Sequence, residues 1–225
     1  MYIFKDRDIP REQSEKFEKF KDLLTEYNEK HNLTSICDEK GIYIKHFYDS
    51  IYPEKYFPFG AQVIEIGSGG GFPSVPLKIV RNDLKFTLVE SRGKKCGFLE
   101  VVKENLALEN VNIINARAEE LSAGAHREKY DVSVARAVAK LNTLCEYCLP
   151  FVKVGGRFIA YKGNAEEEIK ESLNAIKVLG GEIECTEKYS LPENEGERTV
   201  IIIKKIRKTS SEYPRGRGLE RKKPL

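Results

Sequence analysis

Four glycines fall within five residues, Gly67-Ser68-Gly69-Gly70-Gly71, directly after the apolar run Val63-Ile64-Glu65-Ile66. A buried strand that breaks into glycines brings bare backbone up to a bound molecule, because no Cβ stands in the way and positive φ is free of strain. The register narrows the ligand: Gly67, Gly69 and Gly71 give G-x-G-x-G, and Phe72 takes the place where a dinucleotide fingerprint has its third glycine. That weighs against a nicotinamide dinucleotide. Glu90 follows Gly71 by nineteen residues and ends the next apolar run. In nucleoside-binding sheets a carboxylate there accepts hydrogen bonds from ribose hydroxyls. Arg92, Lys94 and Lys95 come next, where a polyanion approaching the ligand would meet them, unless they are simply a solvated helix start. Arg136 stands just past a fourth apolar run, at the strand ends where ligands of open α/β sheets collect.

Glu65 precedes Gly67 by two residues, at the place where S-adenosylmethionine enzymes of this sheet type usually carry an acid, and the whole string resembles their first motif. S-adenosylmethionine is therefore the expected cofactor. The acceptor is narrowed by what is missing. Ala135-Arg136-Ala137 replaces the Asn/Asp-Pro-Pro-Tyr/Phe box of enzymes that methylate adenine amines. Methylation of pyrimidine C5 needs an activated thiolate, and none of Cys37, Cys96, Cys145, Cys148 and Cys185 sits in an activating setting. Acceptors that need neither device remain, guanine N7 among them. Cys145-x-x-Cys148 has no second pair and lies in a helical apolar pattern, so core packing is expected. His31, His46 and His126 stand apart from other ligands, so no metal site is expected and they read as ordinary surface or helix residues.

These groups have to be positioned by strands and helices that alternate. Phe17, Phe20, Leu24 and Tyr27 predict a helix over Ser14 to Tyr27 with Ser14 as N-cap. Ile44, Phe47, Tyr48 and Ile51 predict a second helix. Strands are predicted at Val63–Ile66, Phe86–Val89, Val111–Ile114, Tyr130–Val134 and Arg157–Tyr161, the last ending at Lys162. Helices fall over Lys94 to Leu106, Asn142 to Leu149 and Glu166 to Leu179, with Pro73 in the first turn of a helix after the glycines. Ala118 and Glu119 occupy the loop after the third strand, beside the base of a bound nucleoside. Glu182–Tyr189 and Thr199–Lys205 close the sheet as a hairpin across Pro192–Gly196. Strand and helix in alternation mean parallel crossovers. The expected architecture is α/β, a Rossmann-like class I S-adenosylmethionine-dependent methyltransferase sheet (61–205), with a helical extension (1–60) before it and a basic tail (206–225) after it.

Composition agrees with a soluble globular chain of 225 residues, 40% hydrophobic and 32% charged. No apolar run reaches the length of a membrane span and the start lacks a signal-peptide core, so a cytoplasmic monomer with no membrane partner is expected. Net charge is only +3, but residues 204–225 hold nine Lys or Arg against two Glu. A basic tail suggests a polyanion nearby; a frayed solvated tail is the alternative.

With these residues in view the chain resembles the bacterial glucose-inhibited division protein B family, the ribosomal RNA small-subunit methyltransferase G. The likeness covers nearly the whole length. It includes Asn32-Leu33-Thr34, His46 with Asp49-Ser50, the glycine turn into Phe72-Pro73, Ser91 with Lys94-Lys95, Arg117-Ala118-Glu119, Ala135-Arg136-Ala137 and Tyr213-Pro214-Arg215. The resemblance implies methyl transfer from S-adenosylmethionine to N7 of one guanosine in the 530 loop of 16S rRNA, with 16S rRNA or the small ribosomal subunit as partner. It places Gly67, Phe72, Ala118, Glu119 and Arg136 on cofactor-binding positions, beside Gly69, Gly71 and Glu90. Arg136 is also expected to be catalytic. Arg92, Lys94, Lys95, Lys162 and Arg215 are expected on RNA. The family often shows Asp at Glu65 and Glu90, and its tail commonly reads Pro-Gly-Thr-Pro where Arg217-Gly218-Leu219-Glu220 stand here. A non-catalytic RNA- or nucleotide-binding module on the same sheet is the alternative.

Overall fold

The computed structural model of the protein describes residues 9–225, so the first eight residues of the expected extension lie outside the described residues. Helix α1 (Arg11–His31) starts three residues before the expected cap. Pro10, with φ −53° and ψ 148°, sets its entry, and Ser14 sits inside the first turn with its amide on the Pro10 carbonyl at 3.0 Å. A proline ahead of the first turn fixes the backbone without a side-chain cap. The helix leaves through Asn32 in the left-handed region at φ 47°.

The second helical stretch is not one α-helix. A short α2 (Glu39–Gly41) capped by Asp38 runs into a π-helical segment, Ile42–Tyr48, then α3 (Asp49–Ile51) and a 3₁₀ turn, Tyr52–Tyr56. Spacing at i+3 and i+4 does not separate a π turn from an α turn, and the wider turn lets both Ile44 and His46 be buried beside Phe47.

Strand β1 (Gln62–Ile66) leads into α4 (Ser74–Val80), β2 (Lys85–Glu90), α5 (Gly93–Asn105), β3 (Val111–Asn115) and the four-residue α6 (Ala118–Leu121). The chain continues through β4 (Tyr130–Arg136), α7 (Leu141–Cys148), β5 (Val152–Lys162), α8 (Glu166–Val178), β6 (Gly181–Ser190), β7 (Glu197–Lys205) and α9 (Leu219–Lys222). The seven strands run in the order β3-β2-β1-β4-β5-β7-β6, parallel except for β7, which is antiparallel to both neighbours. Strand β5 begins five residues before its expected start and passes through Gly155 and Gly156, because a bulge opposite Tyr130–Val132 absorbs them. A Cβ at Gly156 would lie 2.5 Å from the Asp131 carbonyl.

Alternation along β1 sends Val63 to one face and Ile64 and Ile66 to the other. Val63 packs with Phe17, Phe20 and Leu24 of α1, Phe47, and Phe98 and Leu99 of α5. Ile64 and Ile66 pack with Leu144 and Cys145 of α7 and Ile176 of α8. Cys145 and Cys148 are both fully buried in that second layer, and burial pushes the Cys148 thiol up to about 12, so they pack rather than react. Because β1 pairs in parallel with both β2 and β4, the crossover direction switches there, and the glycine turn opens into the crevice so formed.

The tail lies on the body. Lys205 is fully buried and donates to the Leu149 carbonyl and Thr209 Oγ1, both at 2.6 Å, with burial lowering its pKa to about 8. Arg127 donates to the carbonyls of Thr209, Ser210 and Tyr213 at 2.9 Å each. Among the described residues, no helix is long and apolar enough to cross a membrane.

Candidate functional site

The turn after β1 is tied to β2 from below. The amides of Gly67 and Ser68 donate to the Val89 carbonyl at 2.8 and 3.2 Å, and Gly71 donates to Ser68. Gly67, at φ 72°, has no room for a side chain: a Cβ would meet Val138 at 2.7 Å. Gly69, at φ 51°, faces open space instead, with ordinary contacts at 3.8 Å to the Gly67 carbonyl and Lys95 Nζ. Its constraint is therefore the backbone conformation and not packing. Gly71 packs inward, where a Cβ would lie 2.7 Å from Val75.

Glu90 anchors this turn. Its Oε2 accepts the Gly69 amide at 3.0 Å, and its Oε1 accepts the Arg92 amide at 2.8 Å and, more weakly, Ser91 Oγ. At 7% exposure it sits under the turn, while its neighbours Val89 and Ser91 line the cleft. That cleft, about 540 Å³, is walled by Ile66, Val89 and Val138, by Ala118 and Glu119, and by Gly218, Glu220 and Arg221 of the tail. Ala118 and Glu119 open helix α6 rather than lying in a loop. The tail's place as a wall of this cleft had no signal in the sequence.

A second cleft of about 550 Å³ meets the first at Gly67 and is lined by Thr34, His46, Gly67–Gly70, Phe72, Lys95 and Arg136, among others. Its floor is a hydrogen-bond network. Arg136, at the end of β4, donates to the Lys45 carbonyl at 3.1 Å, to Asp49 Oδ2 at 3.2 Å and to His46 Nδ1 at 2.9 Å. Its guanidinium lies 4.9 Å from the centre of the Phe72 ring, on which His46 also stacks at 4.3 Å. Tyr189 donates to the other Asp49 oxygen at 2.7 Å. Burial, and then the Arg136 charge, lower the His46 pKa to about 3, so the ring is neutral. His46 is thus a buried part of the site and not the ordinary surface or helix residue its isolation suggested. Its spacing of three from Asp49 was the available signal, since both then face one side of a helical stretch.

Glu65 lies fully buried beneath the turn with neither carboxylate oxygen in a hydrogen bond. Burial pushes its pKa up to about 8; Ser74 and Arg136 pull the other way without offsetting it. Burial thus favours the protonated carboxyl.

The expected phosphate contacts divide. Arg92 and Lys94 are exposed and Lys95 is half-buried at the cleft rim; no protein partner meets these three cations among the described residues. Lys162 is different: its ammonium is held by the Ala139 carbonyl and Glu168, both at 2.7 Å, with only 11% of the side chain exposed. Arg215 is clamped by Glu146. Both are already paired with a carboxylate of the body, although Lys162 also lines the second cleft. Arg198, which sequence reading passed over, lines the same cleft as Arg136 and approaches Asp49 at 3.7 Å.

These features fit S-adenosylmethionine: a side-chain-free turn, Gly67–Gly70, that lines the second cleft and meets the first at Gly67, a buried carboxylate, Glu90, that anchors the turn, and an apolar slot beside Ala118. A family model described as rRNA small subunit methyltransferase G matches residues 13–197. Ribosomal RNA small subunit methyltransferase G of Staphylococcus epidermidis is 49% identical over 221 residues, covering 97% of this chain and 92% of the relative. The protein of that name from Brevibacillus brevis is 51% identical over 217 residues, covering 95% and 91%. Two solved structures share the fold. A SAM-dependent O-methyltransferase from Thermotoga maritima aligns with TM-score 0.56 at 18% identity over 83% of this chain and 73% of that one. M. jannaschii TYW2 in complex with AdoMet gives 0.56 at 15% identity over 75% and 77%. Sheet order, cradle and match along most of the sequence agree: the chain belongs to the rRNA small subunit methyltransferase G family of S-adenosylmethionine-dependent methyltransferases.

Proposed function

We propose that the protein methylates N7 of a guanosine in the 530 loop of 16S rRNA, presented as rRNA or as a small ribosomal subunit. The observation that carries this reading is the chemistry of the second cleft. Its cations Lys45, Lys95, Arg136, Lys162 and Arg198 suit a polyanion, its histidine is neutral and already bonded, and the buried Cys145 and Cys148 thiols lie outside it. Among the described residues this cleft has no thiol and no unbonded histidine, so it suits an acceptor that brings its own lone pair and has no proton to lose. When bound, the cofactor supplies a methyl on a positively charged sulfur; N7 takes it with its lone pair while the sulfur keeps the bonding electrons. Alignment is then the protein's task, and alignment alone contributes several kcal/mol.

Each named side chain has a share in that task. Gly67 gives backbone access, Glu90 holds the turn and the ribose, and Val89, Ala118 and Glu119 flank the base. Arg136, fixed by Asp49 and His46 and seated on Phe72, walls the reacting end. Lys94, Lys95 and Arg92 receive phosphates at the rim. Lys162 and Arg215 support this surface from inside.

The test is methyl transfer from labelled cofactor to 16S rRNA and to small subunits, followed by nuclease mapping and nucleoside mass spectrometry. N7-methylguanosine in the 530-loop fragment is expected. Methyl on another atom or fragment would refute the assignment, and cofactor binding without turnover on either substrate would favour the non-catalytic module. Arg136→Ala should lower kcat/KM for transfer far more than RNA affinity, since its contacts lie at the reacting end.

A further inference from the structure

Thr34 Oγ1 has both acceptor positions filled from the protein side and its proton uncommitted. The chain of reasoning starts at Arg136, whose guanidinium can only donate. Its 2.9 Å contact with His46 Nδ1 therefore makes that nitrogen the acceptor. The neutral ring's single proton is then on Nε2, which lies 2.8 Å from Thr34 Oγ1 and donates to it. The Ile36 amide donates to the same oxygen at 3.0 Å. A hydroxyl has two lone pairs and one proton. With both lone pairs taken, the proton points the third way, and no protein acceptor meets it among the described residues. Thr34 is half-buried and lines the same cleft as Gly67–Gly70, Phe72 and Arg136.

We propose that Thr34 is a specificity residue that donates its hydroxyl proton to the exocyclic oxygen of the target purine, selecting a 6-oxo over a 6-amino base at the edge that carries N7. The proposal rests on the N7-guanosine reading above. Guanine presents N7 and O6 side by side as two acceptors, whereas adenine presents N7 beside a donating amine. A hydroxyl locked as a donor complements the first edge and meets the second proton to proton. The lock comes from elsewhere in the fold, because Arg136 sets the polarity of His46 and His46 sets that of Thr34. A donor on O6 draws electron density away from N7, so the contact serves selection and not acceleration.

The experiment uses an RNA substrate that the parent protein accepts, in which the target guanosine is replaced by 2-aminopurine ribonucleoside. That base keeps N7 and the 2-amino group and carries hydrogen in place of O6. The kcat/KM for methyl transfer is measured on both substrates for the parent, Thr34→Ser, Thr34→Val and Thr34→Ala, with cofactor affinity measured by calorimetry alongside. The parent and Thr34→Ser should prefer guanine by about tenfold, the worth of one well-made hydrogen bond. In Thr34→Val and Thr34→Ala the preference should collapse toward unity through loss on guanine alone, with the cofactor dissociation constant unchanged. A merely structural Thr34 would slow both substrates equally and leave the ratio intact, which overturns the proposal. So does a parent that shows no preference, a result that needs no variant to fold. Absence of N7-methylguanosine from the parent's product on the guanine substrate would instead sink the underlying reading, and it shows before any ratio is taken.

Discussion

The carboxylate of Glu146, 1% exposed on helix α7, is met by Arg215 of the tail through three groups. The Arg215 amide donates at 2.7 Å, Nε at 3.0 Å and Nη2 at 2.7 Å. A charge that deep is tolerated because this partner reaches it, and removing the partner leaves a buried carboxylate short of donors. Arg215→Ala should therefore cost about 3 kcal/mol of stability, at the low end for a broken buried pair since the guanidinium is itself partly exposed. It should leave the salt dependence of RNA binding unaltered. Urea midpoints and filter binding across a salt series check both halves; a shallower slope would return Arg215 to the RNA surface.

Glu90 offers a second measurement. Its carboxylate already holds the amides of Gly69 and Arg92, so its loss removes both the turn's anchor and the acceptor proposed for the ribose. A lost hydrogen bond to a charged group costs about 1.5–3 kcal/mol, so Glu90→Ala should weaken S-adenosylmethionine binding roughly ten- to a hundredfold. Calorimetry with the cofactor or its demethylated product reads this directly, and an unchanged dissociation constant would remove Glu90 from the cofactor site.

Glu65 predicts a dependence on pH. Its carboxyl is pushed up to about 8 by burial, so the folded chain keeps a proton that the unfolded chain gives up near 4.5. The contribution is fully present below pH 4.5 and is lost as pH rises toward 8, because over that window the folded state binds more protons than the unfolded. Stability of the cofactor-free protein should fall across this range by about 1.4 kcal/mol per pH unit from this group. Glu65→Gln, which stays neutral, should flatten that fall. Denaturant midpoints at several pH values decide it, and a parent and variant with parallel profiles would show Glu65 ionised in the fold.

Lys94 and Lys95 are, with Arg92, cations that meet no protein partner among the described residues, and Lys95 stands at the rim of the second cleft. RNA affinity should fall with salt at a log–log slope near −0.7 for each phosphate neutralised on single strands. Replacing both by Gln should make the slope shallower by about 1.4 and leave cofactor affinity nearly unchanged. A flat response in the parent would place the RNA elsewhere on the surface.

The parts of this molecule that sequence spacing revealed are the ones whose cause is local. Gly67, Gly69 and Gly71 are legible because the turn holds each at positive φ, and Glu90 because the length of one βα unit fixes it. Strands β1, β2 and β4 read easily since most of their residues are buried, and the edge strand β3 is read from Val111, Ile113 and Ile114. His46, Thr34 and Asp49 did not declare a role. Their meaning depends on Arg136, which is 90 residues away in the chain in its contact with His46, and on a π segment whose spacing imitates an α-helix. The pairing of Lys162 and Arg215 was hidden for the same reason: a cation's partner is chosen by the fold, and Glu168 and Glu146 come from other elements. The tail looked like a free basic extension because charge is counted residue by residue, while its binding to the body rests on carbonyls facing Arg127.

Asp49 takes bonds from both Arg136 and Tyr189, and Arg198 draws near the same carboxylate, so four positions spread over 150 residues share one buried charge. For a drifting lineage that is a trap. A neutral residue at 136 alone takes from the acid its charged donor at 3.2 Å, and a neutral residue at 49 alone takes from the guanidinium its carboxylate, so either single step should cost more than a joint replacement. Among descendants of this protein, positions 49, 136, 189 and 198 should turn over together or stay fixed, and a library randomised at all four should recover functional quartets that no pairwise walk from the parent reaches.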